Sequence, residues 1–218
     1  MLRQRVAILI SGRGSNMVAL IEAAKAADYP AEIVLVISNR PDAGGLASAQ
    51  AAGIATQTID HKKFASRGKY EQELQHALEA NRIDIICLAG FMRLLTPWLV
   101  SRWTNRMINI HPALLPSYKG LDTHARALAD GVKIHGATVH FVVPEMDSGP
   151  IIVQGAIGVR DNDTPETLAA RVIVVEHEIY ATALKLVAAG KVSVVDGRCV
   201  IAGATEPKAP LISPAIAD

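Results

Sequence analysis

The feature that most constrains this chain is a series of short apolar runs, each separated from the next by an amphipathic stretch. Val6–Ser11, Glu32–Ser38, Thr56–Ile59, Asp84–Ala89 and Met107–His111 read as strands, most of them nearly all apolar. A strand with one wet face alternates polar and apolar residues; these do not, so both faces are to be covered. Between them, Asn16–Ala27, Gly45–Ala52, Phe64–Asn81 and Thr96–Arg102 read as helices. Strands alternating with helices predict a three-layer, doubly wound α/β fold around a mostly parallel sheet.

Beyond residue 111 the pattern changes. A loop rich in Pro and Gly leads to a short helix, Thr123–Ala129, and then Ala137–Val143 and Ile151–Val159 read as strands joined by Pro-Glu-Met-Asp-Ser-Gly-Pro. That turn is too short for a helical crossover, so an antiparallel C-terminal part is expected. A long helix follows, with Thr164 as its N-cap, Pro165 at its first position and Leu168, Val172, Val175 and Ile179 as its apolar stripe. Val192–Val195 and Arg198–Ala202 suggest a closing hairpin around Asp196-Gly197. Residues 1–202 are expected to form one domain and residues 203–218 an irregular tail.

Composition narrows the function. The formal net charge is +1 and no five like charges adjoin, so the basic face of a nucleic-acid binder is missing. Cys87 and Cys199 lie far apart and match no metal-ligand spacing, and no metal is expected. The N-terminus lacks the apolar core of a signal peptide, and no apolar run approaches the roughly 20 residues needed to span a bilayer. The expectation is a cytoplasmic protein, monomer or homodimer, whose partners are small molecules.

Two segments carry chemistry. The first strand runs into Ser11-Gly12-Arg13-Gly14-Ser15-Asn16 and then a helix. Glycines let the backbone turn tightly, and the helix start offers unpaired N–H groups and a positive dipole end, which suits an anion. A dinucleotide fingerprint would want a third glycine where Met17 stands, and a P-loop would end in Lys followed by Ser or Thr. One monophosphate fits the loop better than a dinucleotide or triphosphate; an ordinary strand-to-helix turn capped by Ser fits it equally well.

The second segment is Asn109-Ile110-His111-Pro112, at the carboxyl end of an apolar strand, the edge at which open α/β sheets bind ligands. Strand alternation turns Asn109 and His111 to one side and Ile110 to the other. An amide and an imidazole together can donate to an oxygen that gains negative charge. Asp147 is a candidate to hold His111 charged or to accept a proton. With no Ser or Cys nucleophile nearby, the set suggests direct acyl transfer to an amine. A structural histidine at a strand end is the plain alternative, and structural roles are as open for His124 and His140.

Four motifs occur in order: Ser-Gly-Arg-Gly-Ser-Asn at 11–16, Leu-Ala-Gly-Phe-Met-Arg at 88–93, Ile-Asn-Ile-His-Pro-Ala-Leu-Leu-Pro at 108–116 and Met-Asp-Ser-Gly-Pro-Ile-Ile at 146–152. Through them the chain, from about residue 5 to about residue 202, resembles the phosphoribosylglycinamide formyltransferase family of folate-dependent enzymes of purine synthesis. The resemblance implies that 10-formyltetrahydrofolate is the formyl donor and glycinamide ribonucleotide the acceptor. It makes Asn109, His111 and Asp147 catalytic, and it gives Gly14, Ser15 and Asn16 the ribonucleotide phosphate. Glu176 would grip the ribonucleotide; its edge position on the buried stripe fits, since a carboxylate there is costly unless paired. Met92, Arg93, Leu94 and Leu95 would line the folate pocket, Arg67 would touch folate, and Val142, Val143 and Pro144 would lie beside the pterin. Ala113 stands where the family often has Ser, and Val143-Pro144 makes the pterin-side loop less polar than in relatives.

Three rivals follow. A formyltetrahydrofolate hydrolase would use water in place of the amine, and the phosphate loop and the lack of an added regulatory domain weigh against it. A methionyl-tRNA formyltransferase would need a further domain and a basic surface. A non-catalytic nucleotide-binding module would leave Asn109, His111 and Asp147 without a role.

Overall fold

A computed structural model describes residues 2–205 and 209–214. The chain runs β1 (Gln4–Ile10), α1 (Ser15–Ala23), β2 (Ala31–Ser38), α2 (Gly45–Ala51), β3 (Ala55–Thr58), a 3-10 turn (His61–Lys63), α3 (Arg67–Ala80), β4 (Ile85–Leu88), α4 (Pro97–Arg102) and β5 (Met107–His111). It continues with α5 (Thr123–Ala129), β6 (Ile134–Phe141), β7 (Ile151–Gly158), α6 (Pro165–Ala188), β8 (Val192–Val195) and β9 (Arg198–Ile201).

Strands β1 to β7 form one 7-stranded sheet in the order β3-β2-β1-β4-β5-β6-β7. Pairing is parallel from β3 to β5, and β6 and β7 are antiparallel to their neighbours. The doubly wound expectation and the antiparallel C-terminal part both hold. Strand β1 lies between β2 and β4, and these two neighbours are reached by connections running in opposite directions, which opens a crevice at the carboxyl edge between β1 and β4.

Both faces of the sheet are buried, as the unbroken apolar runs require. Val6, Ile8, Ile10, Cys87, Ile108 and Ile110 pack with Met17 and Leu20 of α1 and with Leu168, Val172, Tyr180 and Leu184 of α6. The alternate residues Ala7, Leu9, Ile86, Leu88 and Met107 pack on the other side with Tyr70, Leu74 and Leu78 of α3 and Leu99 of α4.

Element ends differ from the sequence expectation for local reasons. Helix α1 ends at Ala23 instead of Ala27, and the Arg3 guanidinium takes up the freed carbonyls of Ala24 (3.2 Å), Ala26 (2.6 Å) and Ala27 (3.2 Å). Helix α3 begins at Arg67 instead of Phe64, because Asp60 caps a separate 3-10 turn and Ser66 accepts from the Lys69 amide to cap the helix proper. Helix α6 starts as expected, with Thr164 accepting from the Thr167 amide and Pro165 at the first position. Hairpin β8–β9 turns at Asp196-Gly197, both at positive φ (48° and 74°). Of the tail, residues 203–205 and 209–214 contain no helix or strand, and the remainder lies outside the described residues.

Candidate active site

Cross-strand register builds the site. Leu9 pairs with Leu88, Leu88 with Asn109 and Asn109 with His140, so four strands contribute to one row near the carboxyl edge. Adjacent strands lie about 4.8 Å apart, which sets the end of β1 roughly 10 Å from Asn109. The loops that leave this edge are the glycine turn after β1, the segment after β4 and the His111-Pro112 loop after β5.

Asn109 Nδ2 lies 3.2 Å from His140 Nε2, and His140 Nδ1 lies 2.9 Å from the Phe141 carbonyl. A carbonyl can only accept, so Nδ1 carries the proton and Nε2 accepts from the Asn109 amide. Burial pushes the His140 imidazole below the usual histidine range, against the opposing pull of the Phe141 carbonyl and Asp147. The neutral ring therefore fixes the rotamer and orientation of Asn109.

His111 is 5% exposed, with Nε2 at 2.9 Å from the Tyr118 carbonyl and Nδ1 at 3.5 Å from Asp147 Oδ2. That last separation is an ion-pair distance and too long for a good hydrogen bond. Asp147 Oδ2 accepts from the Gly120 amide at 2.8 Å, and Oδ1 lies 3.9 Å from His140 Nε2. Residues 109, 111 and 147 thus converge with His140. Asp147 sits at φ 50°, a left-handed conformation that short polar side chains tolerate.

Around this set, Thr138 Oγ1 donates to the Ala113 carbonyl (2.7 Å) and accepts from the Leu115 amide (3.0 Å), holding the loop after His111. His124 Nδ1 lies 3.2 Å from His135 Nε2, and the ring of His135 packs edge-on to Tyr118. Burial lowers both imidazoles, His135 to about 4. Sequence reasoning did not find Tyr118, Gly120, His135 or Thr138. The alternation Thr138-x-His140, opposite Asn109-x-His111, was the available signal, but using it requires knowing the β5–β6 register.

The glycine turn is arranged differently from the expectation in two respects. The N-cap of α1 is Gly14, at φ 73°, and Ser15 is the first helical residue, exposed and without a capping role. The Asn16 side chain turns away from the turn, buried at 8% exposure, and donates through Nδ2 to Glu176 Oε2 at 2.6 Å. The Asn16 Oδ1 atom has no partner. Burial raises the Glu176 carboxyl above the usual range, opposed by the Asn16 bond. Backbone amides remain for an anion at this helix start. Gly45, unremarked in the sequence, rests on the turn: its amide donates to the Gly12 carbonyl (3.0 Å), and a Cβ there would lie 2.7 Å from Ile10 Cδ1.

On the sheet face that carries α3 and α4, Leu95 and Val142 pack against one apolar cluster, bringing two of the expected folate segments together. Met92 and Leu94 stand 70% and 59% exposed, Arg93 and Val143 are half-buried, and Pro144 is exposed. Arg67 is exposed in the first turn of α3. Among the described residues, no group of three or more His, Cys, Asp or Glu is arranged to hold a metal ion, and no helix is long and apolar enough to cross a membrane.

An open sheet with this crevice and edge is the scaffold of the formyl transferase class, and residues 4–184 match the formyl transferase family. Within that class the chain belongs to the phosphoribosylglycinamide formyltransferase family. The Escherichia coli phosphoribosylglycinamide formyltransferase is 44% identical over 186 residues, which cover 85% of this chain and 88% of that one. The trifunctional purine biosynthetic protein adenosine-3 of Gallus gallus is 48% identical over 190 residues, 87% of this chain but only 19% of that longer protein. The crystal structure of glycinamide ribonucleotide transformylase 1 from Symbiobacterium toebii superposes with a TM-score of 0.89 at 40% identity, over 92% of this chain and 94% of that one.

Proposed function

We propose that this chain transfers the formyl group of 10-formyltetrahydrofolate to the amine of glycinamide ribonucleotide, a step of purine synthesis carried out in the cytoplasm on small-molecule substrates. The observation that carries the reading is the convergence of Asn109, His111, Asp147 and His140 at the sheet edge, two strands from the glycine turn.

The ribonucleotide phosphate binds the amides of Gly14, Ser15 and Asn16 at the start of α1, and Glu176 grips the ribose-glycinamide part. Folate lies against Met92–Leu95 and Val142–Pro144, with Arg67 at its outer end. The amine attacks the formyl carbon, and the carbonyl oxygen becomes the oxyanion. Asn109, oriented by His140, donates to it through its remaining N–H. Both nitrogens of His111 face acceptors, the Tyr118 carbonyl and Asp147, an arrangement suited to the imidazolium. As substrate enters, the oxyanion replaces the Tyr118 carbonyl as one of its acceptors. Asp147 takes the proton of the amine, directly or through water; the tetrahedral intermediate then collapses, the bond between the formyl carbon and N10 of the folate breaks, and that nitrogen takes up the proton as tetrahydrofolate leaves. Holding both substrates at parts remote from the new bond supplies much of the acceleration.

One assay separates this from its rivals: supply 10-formyltetrahydrofolate with and without glycinamide ribonucleotide, and follow loss of the formyl-folate. Turnover that depends on the amine supports the proposal. Formate release without amine would make the chain a hydrolase, and no turnover would leave a binding module.

A further inference from the structure

The segment Met92–Leu95 belongs to no helix or strand, yet each end is held by a buried side chain distant in sequence. At its start, Ser11 Oγ accepts the Met92 amide (2.8 Å) while donating to Asn39 Oδ1 (2.6 Å). Ser11 and Asn39 are 6% and 2% exposed. At its end, Glu71 of α3 uses both carboxyl oxygens on Thr96: Oε1 accepts the Thr96 amide (2.8 Å), and Oε2 accepts the Thr96 hydroxyl.

Neither arrangement is what packing alone would select. Glu71 is fully buried, at 0% exposure, among Tyr70, Leu74, Ala77 and Leu78 on α3, where a leucine would serve the core without desolvating a carboxyl group. Thr96 is the N-cap residue of α4, yet its side chain makes no cap bond, because the hydroxyl is drawn to Glu71. Local helix capping is given up for a tie between α3 and the loop. Ser11 also leads directly into the glycine turn, and its own amide bonds to the Gly90 carbonyl (3.2 Å).

We infer that Ser11 and Glu71 are positioning residues that clamp residues 92–95 at both ends, so that the loop presents its backbone to folate in one shape before the ligand arrives. The inference rests on the proposal that this segment contacts folate. A loop already ordered loses less conformational freedom on binding, and that difference falls on folate affinity.

The test uses the full chain and the variants Ser11→Ala, Glu71→Leu and Glu71→Gln. For each, kcat, the KM of both substrates and the Kd of 10-formyltetrahydrofolate by calorimetry are measured. Ser11→Ala and Glu71→Leu are expected to raise the folate KM and Kd about three- to tenfold, the loss of one buried hydrogen-bond set. The ribonucleotide KM should stay within about twofold. Glu71→Gln should restore folate affinity, because an amide can accept from the Thr96 N–H and donate to its hydroxyl. Ser11→Cys, close in size but a weak acceptor, is measured alongside in case Ser11→Ala does not fold. Lower Tm and a smaller active fraction with unchanged folate KM would mean a structural role only and would overturn the clamp. A wild-type chain that consumes no formyl-folate would instead refute the function on which the clamp rests.

Discussion

Asn109 and His140 face each other across β5 and β6, and each satisfies the other: the ring lends the half-buried amide a fixed acceptor, and the amide gives the buried ring's unprotonated nitrogen a partner. In the mechanism proposed above, replacing Asn109 or His111 with Ala removes a donor to the oxyanion, and turnover is expected to fall at least about a hundredfold. Steady-state kinetics check this, and wild-type turnover in either variant would overturn the assignment. Glu176 offers a prediction of the opposite kind. Its carboxyl is raised by burial, so the folded chain binds that proton more tightly than the unfolded one, and the associated stability is present at low pH and lost as pH rises. Glu176→Gln should therefore raise Tm at pH 7, with the gain closing towards about pH 4, where an ordinary glutamate is itself protonated. The same variant should weaken ribonucleotide binding. Calorimetric melts at the two pH values decide the first point. At this scale the sequence singled out Asn109, His111 and Asp147, which the fold brings together, because their types are informative. It could not reveal that Asn16 turns to Glu176, 160 positions away, since no local pattern encodes that meeting.

At the scale of elements, hydrophobic periodicity located the strands and helices, with β6 running over Ile134–Phe141 where Ala137–Val143 was expected, and capping chemistry decided several of the ends. The start of α6 was legible because Thr164 and Pro165 carry their own signal, whereas the end of α1 was not, because the carbonyls there are taken up by Arg3, which precedes β1. Two glycines test the packing. Gly14 holds φ 73° at the head of α1, and a Cβ there would lie 3.2 Å from Met17 Cε. Gly14→Val should raise the ribonucleotide KM while leaving folate binding nearly unchanged; unaltered ribonucleotide kinetics would remove the turn from the site. At Gly155, on β7, a Cβ would fall 2.3 Å from Val175 Cγ1 and 2.9 Å from Ile179 Cγ2 of α6. Gly155→Val should destabilise by about 1–3 kcal/mol through overpacking, read as a lower midpoint in urea. An unchanged midpoint would show that α6 can shift away from the sheet.

For the whole molecule, four imidazoles held below their ordinary range contribute on the acid side. Burial lowers His124, His135, His140 and His177, so the unfolded chain takes up protons that the folded chain resists. Stability should therefore fall as pH drops from about 6.5 towards 4, the interval between an ordinary imidazole and His135, with Glu176 opposing the trend at its lower end. Tm measured across that interval checks the sign, and His135→Gln should flatten the slope. A flat wild-type profile would mean that these rings are wetter than the fold implies. The antiparallel turn of the sheet after β5 is also a whole-molecule property. Short spacing predicted it for β6 and β7, but nothing before residue 111 predicts that β6 lies beside β5.

The row Leu9–Leu88–Asn109–His140 has a kinetic corollary. Side chains along a strand point alternately to opposite layers, so displacing β5 by a single position against β4 would drive the amide and imidazole through to the wrong layer and bring Ile108 and Ile110 out in their place. No intermediate alignment leaves them partly aimed. Mutations that loosen this pairing should thus divide a preparation into competent and inert molecules, and active-site titration would find fewer working copies, each turning over at full speed.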